Sequence, residues 1–146
     1  MSGRTLSLEI VTPDGSAVVE EAVDAVVFHR REPRFDVGSE IAIFPLHAPL
    51  LARLAVAPMR YRKGAGTVDL AVAGGFVEVS ADRVLVLTPR CERIAPGTPG
   101  PRAAAGVLCR TWARAMAGFR AEMVGAGRLV PLPGRAGRAD EPAPVR

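Results

Sequence analysis

The sequence contains no asparagine and no glutamine, a single lysine (Lys63), two cysteines and few aromatic side chains, and it has no long apolar run. Each shortage excludes something. A helix that crosses a membrane needs about 18 or more consecutive apolar residues, so none is expected. Cys91 and Cys109 do not make a Cys-x-x-Cys pair. The four candidate zinc ligands (those two with His29 and His47) are scattered without ligand spacing, so no metal is expected. Glu9 interrupts the short apolar pattern of residues 1–11, which argues against a secretory leader and for thiols kept reduced. The expected location is the cytosol unless a partner holds the chain at a membrane.

Catalytic motifs are equally scarce. Lys63-Gly-Ala-Gly66 lacks the residue order of a phosphate-binding loop. No Gly-x-Ser-x-Gly elbow and no His-Glu-x-x-His pair is present. Glu20 and Glu21 are adjacent, and neighbours on a strand face opposite sides, so they cannot share a proton. A barrel enzyme built on metal would want several converging histidines, where only His29 and His47 exist. An independent enzyme is disfavoured, with no catalytic residue and no cofactor assigned. A small β-barrel enzyme using His29 or His47 is the weakest alternative.

What is present is a pattern of short strands. Leu6, Leu8 and Ile10 alternate with polar residues, and Thr12-Pro-Asp-Gly15 is a turn signal. Strands are predicted at 16–21, 24–28, 41–44, 50–54, 59–62, 67–72, 76–80 and 83–87, with Gly74-Gly75 as a connection. Residues 29–39 read as a polar loop in which Arg30-Arg31 is a candidate anion contact, set against a merely solvated loop. Evenly spaced strands punctuated by glycine and proline indicate a mainly β protein, an all-β sandwich over residues 1–92. Pro45 and Pro49 bracket His47 in a stiff corner suited to contact and unsuited to catalysis.

The second part differs in charge and rhythm. Residues 1–90 carry ten basic and eleven acidic side chains, and residues 91–146 carry nine and four, giving balances of −1 and +5. A basic appendage invites a nucleic-acid reading, but without arginine runs or interleaved aromatics no nucleic-acid partner is expected. A proline- and glycine-rich linker is predicted at 93–101, a single C-terminal amphipathic α-helix at 102–125 and a disordered tail at 126–146. Leu108, Trp112, Met116, Phe119 and Met123 fall within one arc of that helix. Trp112, Met116 and Phe119 are therefore candidate contacts, with the sandwich itself, with a partner subunit or with a membrane surface.

The order of short motifs carries a resemblance. Leu8-Glu-Ile-Val-Thr-Pro-Asp-Gly15, Val23-Asp-Ala-Val-Val27, Ile43-Phe-Pro-Leu-His-Ala-Pro-Leu-Leu51, Arg60-Tyr-Arg62, Ala73-Gly-Gly-Phe-Val-Glu-Val79 and Arg83-Val-Leu-Val-Leu87 resemble, in order, segments of the epsilon subunit of F-type ATP synthases. The resemblance covers about residues 6–90. It implies a flattened β-sandwich in the central stalk of a proton-translocating synthase. It also implies a non-catalytic rotor subunit that couples rotation of the ring of c subunits to ATP synthesis in the catalytic head. The implied partners are the gamma subunit and the c ring, with the catalytic subunits reached through the helix. The implied location is peripheral, on the cytoplasmic face of a bacterial inner membrane, with membrane association through the complex. Glu40 and His47 match positions that meet the ring, against the plainer readings that Glu40 is solvated and His47 caps a turn. A divergent paralogue acting as a binding module outside the synthase is the alternative.

Three departures from the family pattern stand out. Leu46 occupies a glycine position, so the corner is expected to avoid a glycine-type conformation there. The loop 29–39 is longer than usual. One helix stands where the family has a two-helix hairpin, with no Asp-x-x-Arg motif, so neither ATP binding nor inhibition by an extending hairpin is assigned.

Overall fold

The computed structural model describes residues 3–35 and 37–127. Eight strands and a helix follow in order: β1 (Leu6–Thr12), β2 (Gly15–Val23), β3 (Ala25–His29), β4 (Glu40–Ile43), β5 (Leu50–Lys63), β6 (Gly66–Ser80), β7 (Arg83–Leu87), β8 (Cys91–Arg93) and α1 (Pro101–Gly125). The chain divides into two compact units, Met1–Ala113 and Arg114–Arg146.

In the first unit the β5–β6 hairpin is the spine, paired in one register from Leu50↔Val79 to Lys63↔Gly66 with a single gap at Ala55. One end of it joins β7, then β1, then β2, through Phe76↔Leu87, Glu9↔Leu85 and Glu9↔Val19. The other end joins β3 and β4 on one side and β8 on the other. The two wings form the layers of a sandwich, and alternate residues of each point between them. Leu6, Leu8, Ile10, Val26, Phe28, Leu54, Met59, Tyr61, Val77, Val84 and Val86 are all buried there in one cluster. Burial of a large apolar side chain contributes roughly 1.5–3 kcal/mol, so this cluster dominates the stability of the unit.

The four short strands expected at 50–54, 59–62, 67–72 and 76–80 are two long ones. Gly74 and Gly75 lie inside β6, with φ of 78° and 103°, and let the strand pass from one layer to the other. A Cβ on Gly75 would sit 1.9 Å from the Leu87 carbonyl oxygen, so only glycine fits. The linker expected at 93–101 likewise begins later, because Cys91–Arg93 pairs with Leu70–Val72 of β6.

Leu46 also departs from expectation. It adopts φ of 68°, the left-handed conformation that a glycine would take more easily. The cost for a residue with a Cβ is about 1–2 kcal/mol. The geometry is held because the Asp82 carboxylate accepts the Leu46 N–H at 2.6 Å.

Helix α1 starts on Gly100, whose carbonyl accepts the Ala104 N–H at 3.0 Å, and Pro101 occupies the first turn, where its missing donor costs nothing. Within the first unit Ala105, Cys109 and Trp112 are buried against Ala71 and Ala73 of β6, with Val56, Ile94 and Leu108 alongside. Small residues at Ala71, Ala73 and Ala105 let helix and sheet approach closely. Arg90 lies 4.7 Å from the centre of the Trp112 ring, a cation–π contact. In the second unit Met116 and Phe119 are exposed, at 41% and 62%. The tail expected at 126–146 falls, from residue 128 on, outside the described residues.

Candidate partner-contact surfaces

The corner between β4 and β5 is the first surface. The His47 N–H closes a turn on the Phe44 carbonyl at 3.2 Å, and its Nδ1 lies 2.6 Å from the Ala48 carbonyl. A carbonyl can only accept, so Nδ1 donates to it and Nε2 is left for another partner. Phe44 and Leu46 of the same turn are exposed by 52% and 70%. Asp82 fastens the corner from the β6–β7 turn, where Ala81 and Asp82 both have positive φ as a two-residue hairpin turn requires. Asp82 also accepts from Arg4 Nε at 2.5 Å. The Leu46 N–H first, and then Arg4, hold its carboxyl below the ordinary aspartate range.

Glu40 is the second feature, and it is not merely solvated. Arg60 grips it with both terminal nitrogens at 3.3 and 3.2 Å, Arg102 donates to it at 2.5 Å, and His29 Nε2 lies 3.5 Å away. The Arg60 hydrogen bonds are the leading cause that lowers its pKa. The pairing with Arg102 ties the start of α1 to the start of β4. Glu40 opens β4 while His47 lies beyond its far end, so the structure gives each residue its own neighbourhood.

The third surface escaped the sequence reading. On the outer side of the wing that holds β1, β2 and β7, one row across the strands runs Val19, Glu9, Leu85, Glu78 and Leu51, and the next includes Val11, Leu87, Phe76 and Arg53. Directly opposed side chains on a sheet touch, so these rows form a continuous face. Val19, Leu51, Phe76 and Leu87 are 64%, 73%, 52% and 49% exposed. A signal was available in Arg83-Val-Leu-Val-Leu87. A strand apolar at both parities has two faces to cover, and Val84 and Val86 account for only one.

The carboxylate pair and the thiols offer no reactive group. Glu20 turns toward Tyr61 and Lys63, accepting at 3.1 and 3.0 Å, while Glu21 is exposed. Burial pushes the Cys91 thiol up to about 11 and raises that of Cys109, so neither is a thiolate at neutral pH. Among the described residues no three His, Cys, Asp or Glu side chains gather as a metal set, and no helix is long and apolar enough to cross a membrane.

Comparison with known proteins adds the context. Residues 5–94 match the family described as ATP synthase, Delta/Epsilon chain, beta-sandwich domain. The ATP synthase epsilon chain of Alkalihalophilus pseudofirmus is 41% identical over 88 residues, covering 60% of this chain and 61% of that one. That of Halalkalibacterium halodurans is 46% identical over 89 residues, covering 60% and 61%. The matched region thus spans about three fifths of the length of these relatives. Among solved structures, a chain of the Euglena gracilis mitochondrial ATP synthase (OSCP/F1/c-ring, rotational state 1) superposes with a TM-score of 0.55 at 18% identity, covering 63% of this chain and 57% of that one. A chain of the Tetrahymena thermophila mitochondrial ATP synthase central stalk/c-ring gives 0.51 at 12% identity, covering 88% and 100%. At such identities the structural likeness speaks for the fold.

Proposed function

The chain belongs to the ATP synthase delta/epsilon chain family through its β-sandwich domain, and from that membership we propose that it is a non-catalytic rotor subunit of a proton-translocating F-type ATP synthase. In this role it couples rotation of the c ring to ATP synthesis in the catalytic head, standing in the central stalk at the cytoplasmic face of the membrane. The observation that carries the reading is the family match over residues 5–94, which takes in all eight strands.

The geometry supports a part that transmits force by contact. A close-packed sandwich interior deforms little under load. The bare apolar face around Phe76 and Leu87 suits a permanent partner, the gamma subunit in this proposal. The corner offers the c ring Nε2 of His47, with the exposed side chains of Phe44 and Leu46 in the same turn. Glu40 reaches the ring only by exchanging one of its own cations, of which Arg102 is the more exposed. Met116 and Phe119 are left as contacts for a further subunit.

Affinity purification of the tagged full chain from its native host tests the proposal. Recovery of gamma and c subunits together with the chain is the expected result. Recovery of neither would sink the synthase role and leave a sandwich acting as a binding module elsewhere.

A further inference from the structure

The long loop between β3 and β4 is built rather than loose. The Arg31 N–H donates to the Arg53 carbonyl at 2.9 Å, Arg30 and Gly38 are joined at 2.8 Å, and Glu32 and Phe35 exchange backbone hydrogen bonds at 3.3 and 3.2 Å around Pro33. Gly38 passes so close to the loop that a Cβ there would lie 2.5 Å from the Arg30 carbonyl oxygen. Between this loop and β5 lies a cleft of about 330 Å³ lined by Arg31, Glu32, Pro33, Arg34, Phe35 and Arg53. That volume is at the small end of ligand pockets, which span about 300–1,000 Å³.

Among the described residues that line the cleft, arginines outnumber carboxylates three to one. The carboxylate, Glu32, is occupied by the loop itself: one of its oxygens accepts the Ser39 N–H at 3.2 Å, the Ser39 hydroxyl at 2.9 Å and Arg30 at 3.4 Å. The Ser39 N–H is the main reason its pKa is lowered, so it stays ionised and committed to holding the loop. Among the described residues the ion pair of this loop uses Arg30, while Arg31, Arg34 and Arg53 are among the residues that line the cleft.

We infer that this cleft binds a phosphate-bearing anion through Arg31, Arg34 and Arg53, with Phe35 beside it as an apolar platform. Each guanidinium presents a planar fork of donors matched to two oxygens of a carboxylate or phosphate. One carboxylate would satisfy a single fork. Three forks at one cleft suit an anion with several oxygens and more than one negative charge. Phe35, 62% exposed, has no role in the core and offers its ring to the uncharged remainder of the ligand. The site does not depend on the synthase reading, although Arg53 also borders the outer face that carries Phe76.

Two sources share the chemistry, a free phosphate compound and an anionic lipid headgroup. Calorimetric titration of the full chain with inorganic pyrophosphate tests the first. Co-sedimentation with vesicles of phosphatidylcholine, with and without phosphatidylglycerol, tests the second. Saturable pyrophosphate binding without vesicle binding identifies a free phosphate compound, and phosphatidylglycerol-dependent sedimentation identifies a headgroup. In either case Arg34→Ala and Arg53→Ala should each weaken binding about tenfold. Arg34→Lys should fall between, keeping charge without the fork, and Arg83→Ala, elsewhere on the same wing, should change nothing. Circular dichroism of each variant verifies the fold. The inference is overturned if neither probe binds, or if Arg83→Ala weakens binding as much as the cleft substitutions do.

Discussion

Asp82 joins three distant parts of the chain: its own hairpin turn, the Leu46 backbone in the corner, and Arg4 just before β1. The linkage between its ionisation and stability has a definite sign. A carboxyl whose pKa is lowered on folding contributes stability that is fully present above its unfolded value. That contribution is lost as pH falls through the folded value. Asp82→Asn isolates the charge, since asparagine tolerates a positive φ at least as well as aspartate. The melting temperature of the wild type should therefore exceed that of Asp82→Asn from neutral pH down to about 5. The gap should shrink below about pH 4, where the unfolded aspartate begins to protonate, and close in stronger acid. A gap that persists unchanged at low pH would mean that the corner is held by something else. At this scale the sequence was only half legible. The prolines around His47 announced a rigid corner, and the structure has one. The conformation of Leu46 was misread because its N–H finds its acceptor 36 residues away.

Elements were legible where local pattern and packing agree. The alternation of Leu6, Leu8 and Ile10 and the Thr12–Gly15 turn stand where the chain announces them, and the helix begins one residue earlier than expected, on Pro101. Glycine was the ambiguous signal, because its meaning depends on what a Cβ would meet. Gly74-Gly75 read as a break between strands, yet Gly75 is the point where one strand crosses layers against the Leu87 carbonyl. Gly106 sits inside the helix, where glycine costs propensity relative to alanine. A Cβ on Gly106 would meet only the end of the flexible Arg110 side chain at 3.3 Å and Pro58 Cγ at 3.9 Å. The two glycines should thus respond oppositely to alanine in urea unfolding. Gly106→Ala should stabilise by about 0.5–1 kcal/mol through helix propensity. Gly75→Ala should destabilise by roughly 3 kcal/mol or more, since both its φ and the carbonyl clash must be relieved. The arc of the helix was legible for Trp112. Ala105 and Cys109 escaped notice because small residues carry little hydrophobic signal, yet they are what fits against Ala71 and Ala73.

The two outer faces of the sandwich have different fates within the first unit. Helix α1 covers Ala71, Ala73 and Val56 on one, while Val19, Leu51, Phe76 and Leu87 stand bare on the other. These four side chains come from four strands, β2, β5, β6 and β7, and exposed apolar area of this kind is what the proposed partner would cover. Phe76→Glu separates the two functions of that position. The new carboxylate would lie directly across from Arg53, a favourable cross-strand pair, so the fold loses little. The melting temperature should shift by no more than roughly 2–4 °C. If gamma is the partner proposed above, replacing this aromatic side chain with a charge should nevertheless cost about 2 kcal/mol or more of binding, close to thirtyfold in affinity for the isolated gamma subunit. Val107→Glu is the matched control, a bare apolar residue (55% exposed) on the helix instead of that face. It should leave affinity unchanged. Equal losses from both variants would point to a general effect of added charge, and no loss from Phe76→Glu would move the interface off this face.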